Sequence, residues 1–196
     1  MGHIAIFVPD FRGGGVERVH LLLAREFLAK GYDVDLVLLQ KQGVLLDQVP
    51  NEVRVIDLQA PRIRQGFVPL VRYLRERRPD ALLASMWPLT TLAVLAAKAA
   101  RFRGRVVLSE HSTLSQSPQG GGKSGMLLRA SMRLVNGWAT EVVGVSAGVI
   151  EDLRELGLAA HLGQVIHNPV AISSANTVPE VWHNHPWMKR PSAQRL

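Results

Sequence analysis

The chain alternates short apolar runs with longer stretches in which apolar residues recur every three or four positions. Residues 3–8 are a run of the first kind, Val34 with residues 36–39 forms another, and residues 16–30 have helical spacing. A continuous short run is typical of a strand buried on both faces, and the wider spacing is typical of an amphipathic helix. The amino-terminal part therefore predicts strand, glycine-rich loop, helix and second strand.

The same alternation continues to residue 166. It predicts further strands at residues 53–58, 80–84, 105–109, 141–145 and 165–166 and helices at about 67–77, 88–101, 125–135 and 147–156, with a long polar loop over 110–122. Parallel crossovers are right-handed and bury both faces of a sheet. The pattern predicts a doubly wound α/β domain whose sheet is mainly parallel and carries helices on both faces.

The regular pattern stops after residue 170. Prolines at positions 179, 186 and 191 interrupt any period, so residues 1–170 are predicted to be one domain and 171–196 a linker or tail. Trp182 and Trp187 in this tail would normally pack against something, although hydrophobic residues also occur by chance in a free end.

Composition narrows the classes of site. A chain of 196 residues suits one domain, and the absence of Cys excludes disulfides, thiolate nucleophiles and cysteine zinc sites. We expect no metal. The apolar run at the amino terminus is too short for a signal peptide, and the apolar stretch 89–100 is too short for a membrane span. We therefore expect a cytoplasmic protein, either free or peripheral on the inner face of the membrane.

The formal charge of +7 is carried mostly by arginines, which cluster in residues 62–78 and 101–133. A candidate basic patch for an anionic membrane surface or a phosphorylated acceptor consists of Arg62, Arg64, Arg72 and Arg75. A solvated basic face is the alternative. Nucleic acid is not an expected partner, because few aromatic residues stand among the basic clusters.

Ligands of open parallel sheets bind outside the carboxyl ends of the strands. After the first strand come Arg12, Gly13, Gly14 and Gly15, with Glu17 in the first turn of the helix. Glycines allow close backbone approach, and free helix amides favour a phosphate or carboxylate. The loop is not a dinucleotide fingerprint, because its third glycine position is Arg18 and no acidic residue ends the second strand.

Other polar residues follow the later strands. His111 stands after Ser109 and Glu110, and an imidazole beside a carboxylate can move protons or hydrogen-bond a sugar, although a lone loop histidine is often structural. Further candidates for substrate binding follow the fourth, sixth and seventh strands: Trp87, Ser146 and Asn168. Ser146 can equally be a helix cap, and the turn at Asn168 can be structural.

Four motifs in this order carry a resemblance to a family: Gly14-Gly15-Val16-Glu17-Arg18, Ser109-Glu110-His111, Val145-Ser146-Ala147-Gly148-Val149 and Val165-Ile166-His167-Asn168-Pro169-Val170. They resemble the amino-terminal domain of GT-B glycosyltransferases, closest to the retaining family four that builds lipopolysaccharide, capsule and other glycoconjugates. The resemblance covers about residues 3–170. It implies a Rossmann-like half of a GT-B fold that binds the acceptor, with hexosyl transfer from a nucleotide sugar to a glycan or lipid-linked acceptor.

By this resemblance Gly14 and Gly15 would offer amides to a substrate phosphate, and His111 is the candidate catalytic residue beside the transferred sugar. Asn168 would mark the crossing into the second domain. No cofactor is implied beyond the nucleotide sugar, which is a substrate.

The family's donor-binding domain has no counterpart in the chain, which we therefore expect to be inactive alone. A truncated reading frame, an engineered piece or one subunit of a split enzyme with a carboxyl-domain partner chain would each explain this, so whether the chain itself is an enzyme stays open. The alternative function is a non-catalytic partner or membrane-docking module with a basic surface.

Overall fold

A computed structural model describes residues 2–117 and 121–169. The strands are β1 (His3–Val8), β2 (Asp33–Leu38), β3 (Arg54–Asp57), β4 (Ala81–Ser85), β5 (Arg105–Glu110), β6 (Glu141–Gly144) and β7 (Gln164–Val165). The α-helices are α1 (Gly15–Ala29), α2 (Phe67–Arg77), α3 (Leu89–Ala100), α4 (Gly122–Leu134) and α5 (Ala147–Glu155). The predicted linker at 171–196, with Trp182 and Trp187, lies outside the described residues.

The strands form one seven-stranded sheet in the order β3-β2-β1-β4-β5-β6-β7, and every neighbouring pair is parallel. The chain first builds outwards from β1 to β3 and then returns to add β4 on the other side of β1. This order confirms the predicted doubly wound, Rossmann-like fold. The reversal of direction lies between β1 and β4.

The two faces of the sheet bury different side chains because successive residues of a strand point to opposite sides. On β1, Ile6 and Val8 pack in one core with α1, and Ala5 and Phe7 pack in a larger core with α2 to α5. One helix thus covers the β1–β3 part of one face, and four helices cover the other. No helix within the described residues is long and apolar enough to cross a membrane.

Candidate functional site

The reversal between β1 and β4 opens a crevice at the carboxyl ends of the strands, which is where open α/β sheets bind ligands. Four segments reach it: the glycine loop after β1, residues 86–88 after β4, His111 after β5 and Ser146 after β6. Each comes directly after a buried strand, so the sheet fixes its starting point.

The glycine loop is held in place by the loop that follows β2. The Phe11 N–H donates to Gln42 O at 2.8 Å, and the Leu45 N–H donates to Phe11 O at 3.1 Å. Phe11 is only 1% exposed, and it anchors the loop in the core shared with α1. Gly13 has φ +113°, a left-handed conformation that favours glycine. The approach to α1 is therefore fixed by both packing and backbone conformation.

The amino end of α1 is open at Gly15. Gly14 is the N-cap residue and no side chain caps the first turn, which leaves first-turn amides free of side-chain partners. A Cβ at Gly15 would meet no atom within 4 Å, but one at Gly14 would collide with the Glu17 carboxylate. The helix dipole stabilises that carboxylate. The Glu17 carboxylate thus lies next to Gly14, and the space beside Gly15 is open.

The charge of Arg12 is shared within its own loop. Its Nε lies 2.9 Å from Asp10 Oδ2, and its Nη2 donates to Gln42 Oε1 at 3.4 Å. The Arg12 side chain is 65% exposed. Arg12 thus lies at the predicted loop as an ion-paired cation.

His111 reaches the crevice with one ring nitrogen free. Its Nε2 lies 3.0 Å from Ser109 Oγ, and its buried Nδ1 has no hydrogen-bond partner among the described residues. Burial lowers the pKa of His111, and the Asn168 side chain acts in the opposite direction. The structure therefore brings together His111 and Asn168, and the lowered pKa of His111 keeps its imidazole neutral near neutral pH.

His20 lies behind His111 and was missed by the sequence reasoning. This residue of α1 is 1% exposed, and its ring centroid lies 6.1 Å from that of His111. Its Nδ1–H donates to Val16 O at 2.7 Å, and the Ser85 hydroxyl donates to its Nε2 at 2.8 Å. Burial, and secondarily His111, lower the pKa of His20 to about 4. A histidine on the apolar face of the predicted helix is the sequence feature that could have indicated it.

Glu110 does not face His111. The Thr90 hydroxyl donates to its Oε1 at 2.9 Å, and the Trp87 N–H donates to its Oε2 at 3.2 Å. Adjacent residues at the end of β5 point to opposite faces of the sheet, so the expected pairing of carboxylate and imidazole is not formed. Burial raises the pKa of Glu110 to about 7, although both hydrogen bonds oppose the shift.

The polar atoms of Trp87 and Ser146, two further predicted residues, form hydrogen bonds within the fold. The Trp87 indole N–H donates to Ser131 Oγ at 3.0 Å, and its ring packs against the larger core. Ser146 Oγ accepts from the Val149 N–H at 3.3 Å, which makes it the N-cap of α5. The structural alternative stated for Ser146 is therefore the one that the hydrogen bond supports.

The loop after β5 is tied to α5 by a residue that the sequence reasoning did not single out. Asp152 is 6% exposed and accepts from the Leu114 N–H at 2.7 Å and from the Ser115 N–H and hydroxyl. This carboxylate fixes the first part of the long loop beside the crevice. Among residues 2–117 and 121–169 no three side chains of metal-ligating types lie together.

The predicted basic patch is spread along α2. Arg62 and Arg64 lie before the first turn, Arg72 lies within the helix and Arg75 lies in its last turn, all exposed to solvent. An α-helix of 11 residues is about 16 Å long, so the ends of the patch are far apart. Arg75 donates to Ala99 O at 2.8 Å, and it lies near the amino ends of the strands, away from the crevice at their carboxyl ends.

The chain is similar to solved structures of proteins about twice its length. Anabaena HepE in complex with UDP-glucose is 21% identical, with a TM-score of 0.68 over 87% of this chain and 44% of that one. A Rickettsia africae glycosyltransferase is 18% identical, with a TM-score of 0.68 over 92% and 47%. The lipopolysaccharide outer core galactosyltransferase WaaB is 16% identical, with a TM-score of 0.64 over 89% and 47%.

The chain thus spans about half the length of these proteins. No match was found among curated protein sequences. The family model for Glycosyltransferase Family 4 matches residues 13–174, which include the glycine loop, His111 and Asn168. On that match, and with the parallel sheet and crevice described above, the chain belongs to Glycosyltransferase Family 4.

Proposed function

We propose that this chain supplies the acceptor-side domain of a retaining glycosyltransferase that moves a hexosyl group from a nucleotide sugar to a glycan or lipid-linked acceptor. The observation that carries the proposal is that α1, which starts without a side-chain cap at Gly15, lies beside His111. The His20 ring of α1 is 6.1 Å from the His111 ring, whose Nδ1 has no hydrogen-bond partner among the described residues. Helix amides suit a phosphate oxygen, and a neutral imidazole suits a sugar hydroxyl.

Each half of this crevice has a distinct part in the proposed reaction. The amides at Gly15 would stabilise negative charge on a substrate phosphate, because they are preorganised by the loops that fix Phe11. His111 would hydrogen-bond the transferred sugar through Nδ1, held in orientation by Ser109. The Asn168 side chain hydrogen-bonds His111 and would stand where the chain crosses into a second domain. It would therefore link the sugar contact to that domain.

The proposal also includes a requirement for a second, donor-binding domain. Departure of a nucleoside diphosphate needs cationic or amide groups on the leaving oxygens. The cation nearest the glycine loop, Arg12, is already paired with Asp10. We expect the isolated chain to bind acceptor but not to turn over, and a partner domain to restore transfer.

Gly15→Trp tests the crevice, with Gly137→Trp as its control. Both positions are exposed, and a Cβ at either would meet no atom within 4 Å, so both variants should fold. In an enzyme reconstituted with a donor domain, Gly15→Trp should weaken UDP-glucose or acceptor binding in isothermal titration by about tenfold or more, and Gly137→Trp should not. Unchanged binding of both ligands by Gly15→Trp would rule out the phosphate role.

His111→Gln tests the sugar contact in the same reconstituted enzyme. Loss of one preorganised hydrogen bond to the reacting sugar should lower kcat by roughly 10²-fold and leave the fold intact. His161→Gln is the control, because His161 is exposed and lies in the turn before β7. Equal rates for the two variants would exclude His111 from the reaction, and transfer by the chain without any partner would exclude the need for a second domain.

A second candidate function is attachment to an anionic membrane, and the outer surface of α4 favours it. Large apolar side chains are exposed there beside Lys123, Arg129 and Arg133: Met126 (74%), Leu127 (62%), Leu134 (67%) and Trp138 (52%). An exposed apolar strip with basic neighbours is typical of a helix that lies on a membrane surface.

Co-sedimentation with vesicles tests whether the exposed surface of α4 binds an anionic membrane. Met126→Ser/Leu127→Ser should reduce binding to anionic vesicles, whereas Val68→Ser, which removes an apolar side chain that is 63% exposed on α2, should not. Binding that is insensitive to salt and to headgroup charge would contradict the proposal.

A further inference from the structure

A second concave surface lies at the amino ends of β4 and β5, on the side of the sheet away from the crevice. It is a groove of about 1150 Å³ lined by the last turns of α2 and α3 and by the segments that lead into β4 and β5. β4 and β5 contain five and six residues, which at about 3.3 Å per residue places the groove ~17–20 Å from the crevice. The groove is therefore a separate site.

The groove has a strong excess of positive charge. One acidic residue, Asp80, and five exposed arginines line it: Arg75, Arg78, Arg101, Arg103 and Arg105. Asp80 Oδ2 already accepts from the His3 N–H at 2.7 Å. None of the five guanidinium groups forms an ion pair with a carboxylate in the described part of the chain.

The fold itself accounts for only two of these arginines. Arg75 Nη2–H donates to Ala99 O at 2.8 Å, and Arg78 Nε–H donates to Arg75 O at 3.2 Å. These carbonyls end helices, where cations are favourable. Arg101, Arg103 and Arg105 make no side-chain hydrogen bond to any described residue, so their guanidinium groups are free to bind a ligand.

The segment that carries these three arginines is fixed by close backbone packing. A Cβ at Gly104 would lie 2.6 Å from Asp80 O and 2.7 Å from Pro79 O, and the Arg105 N–H donates to Asp80 O at 2.8 Å. The two segments before β4 and β5 are thus held together. Because the backbone under these arginines is already fixed, ligand binding orders fewer groups than it would in a flexible loop.

From this charge and shape we propose that the groove binds a soluble ligand that carries at least two phosphate groups. Arginine forks match the geometry of phosphate oxygens and bind them through paired hydrogen bonds. A concave site allows guanidinium groups on several sides to reach one ligand. A planar membrane surface would contact only the rim.

Isothermal titration of the full chain with sodium pyrophosphate at low ionic strength tests the proposal. Arg101→Gln/Arg103→Gln/Arg105→Gln should weaken binding by about tenfold or more, because it removes three charged donors. The control Arg62→Gln/Arg64→Gln/Arg72→Gln removes the same charge from exposed positions outside the groove and should stay within about twofold. Circular dichroism and thermal melting verify that both triple variants are folded.

Four results would overturn the proposal. One is no binding of pyrophosphate by the unaltered chain, and another is equal weakening by the two triple variants. The third is loss of binding in Gly15→Trp with binding retained in the groove variant, which would assign the phosphate to the crevice. If the groove variant instead lost only binding to anionic vesicles, the site would be a membrane contact. No readout involves glycosyl transfer, so the outcome is independent of the proposed function.

Discussion

Two histidines meet where β4 and β5 end, and their hydrogen bonds give them different roles. Ser85 and Ser109 are register partners on these strands; the first bonds His20 and the second bonds His111. Both ring nitrogens of His20 are occupied, whereas Nδ1 of His111 has no partner among the described residues. His20 is therefore part of the framework, and His111 is the histidine that keeps an unused hydrogen-bonding nitrogen.

Glu110→Gln should change how stability depends on pH. The folded state holds a proton on Glu110 up to about pH 7, and an ordinary glutamate releases it near pH 4.5, so this residue makes stability fall as pH rises through that window. The full shift corresponds to roughly 3 kcal/mol. Urea unfolding at pH 4.5 and 7.5 should show a smaller fall for the variant, with exposed Glu52→Gln as control. An unchanged difference between the two pH values would contradict a raised pKa.

His20→Gln should have the opposite effect on the pH profile. An unfolded histidine takes up a proton near pH 6.5 and the buried one only near pH 4, so His20 makes stability fall as pH drops through this range. The variant should lose about 1–3 kcal/mol at pH 7 through one missing hydrogen bond and should show less loss on acidification. Between pH 4.5 and 6.5 His20 and Glu110 change the free energy of unfolding in opposite directions. The contribution of each residue is therefore obtained by subtracting the pH profile of its variant from that of the unaltered chain. A parallel pH profile in variant and parent would contradict this assignment.

At the scale of elements, two loops after neighbouring strands fix the open helix start. Gly43 has φ +125°, and a Cβ there would collide with the backbone of Phe11 and Arg12. This close approach allows the hydrogen bonds that Phe11 makes to Gln42 and Leu45. The geometry of the glycine loop therefore depends on a residue about 30 positions later in the chain.

Gly43→Ala should be clearly destabilising, and Gly148→Ala should not. The first substitution combines a left-handed backbone with a backbone collision and should cost about 2 kcal/mol or more. Gly148 is exposed in the first turn of α5 with no atom within 4 Å of a Cβ, so alanine there should be neutral or stabilise by up to about 1 kcal/mol. Chemical denaturation measures both, and similar values for the two variants would show that the loop contact is not a constraint.

At the scale of the whole molecule, a network around one buried carboxylate joins four elements near the amino ends of the strands. Asp35 on β2 is 1% exposed. Its carboxylate accepts from Tyr73 OH at 2.9 Å and from Arg54 and Arg77 at 3.3 and 3.4 Å, and it lies 3.1 Å from His3 Nε2. The network thus crosslinks β1, β2, β3 and α2.

Asp35→Ala should be among the most destabilising single changes in the chain. It leaves the buried Tyr73 hydroxyl without its acceptor, which costs about 1–3 kcal/mol, and it also removes the ion pairs with Arg54 and Arg77, which are about half exposed and so add little. Asp47→Ala, at an exposed position, should change stability by less than about 0.5 kcal/mol. Urea denaturation of both variants provides the comparison; a small effect of Asp35→Ala would mean that the network does not stabilise the fold.

Hydrophobic periodicity by itself determined the number, type and order of the elements, and with it the fold class. Buried parallel strands are mostly apolar, so β1, β2 and β5 are visible in the sequence although β2 and β5 also bury polar residues, and the Ser146 cap identified the start of α5. The helix after the long loop begins at Gly122, before the predicted residue 125, because backbone hydrogen bonding from Gly125 to Gly121 extends it through residues of low helix propensity.

Only the tertiary structure decided which side chains meet. His20 and His111 are 91 positions apart, and Glu110 is next to His111 in sequence but on the other face of the sheet. The arginines of the groove come from two segments that the sheet aligns, whereas the predicted basic patch is spread along one helix. Local patterns fix which residues a strand or helix buries; contacts across the crevice depend on strand order and side-chain direction, which distant parts of the chain set together.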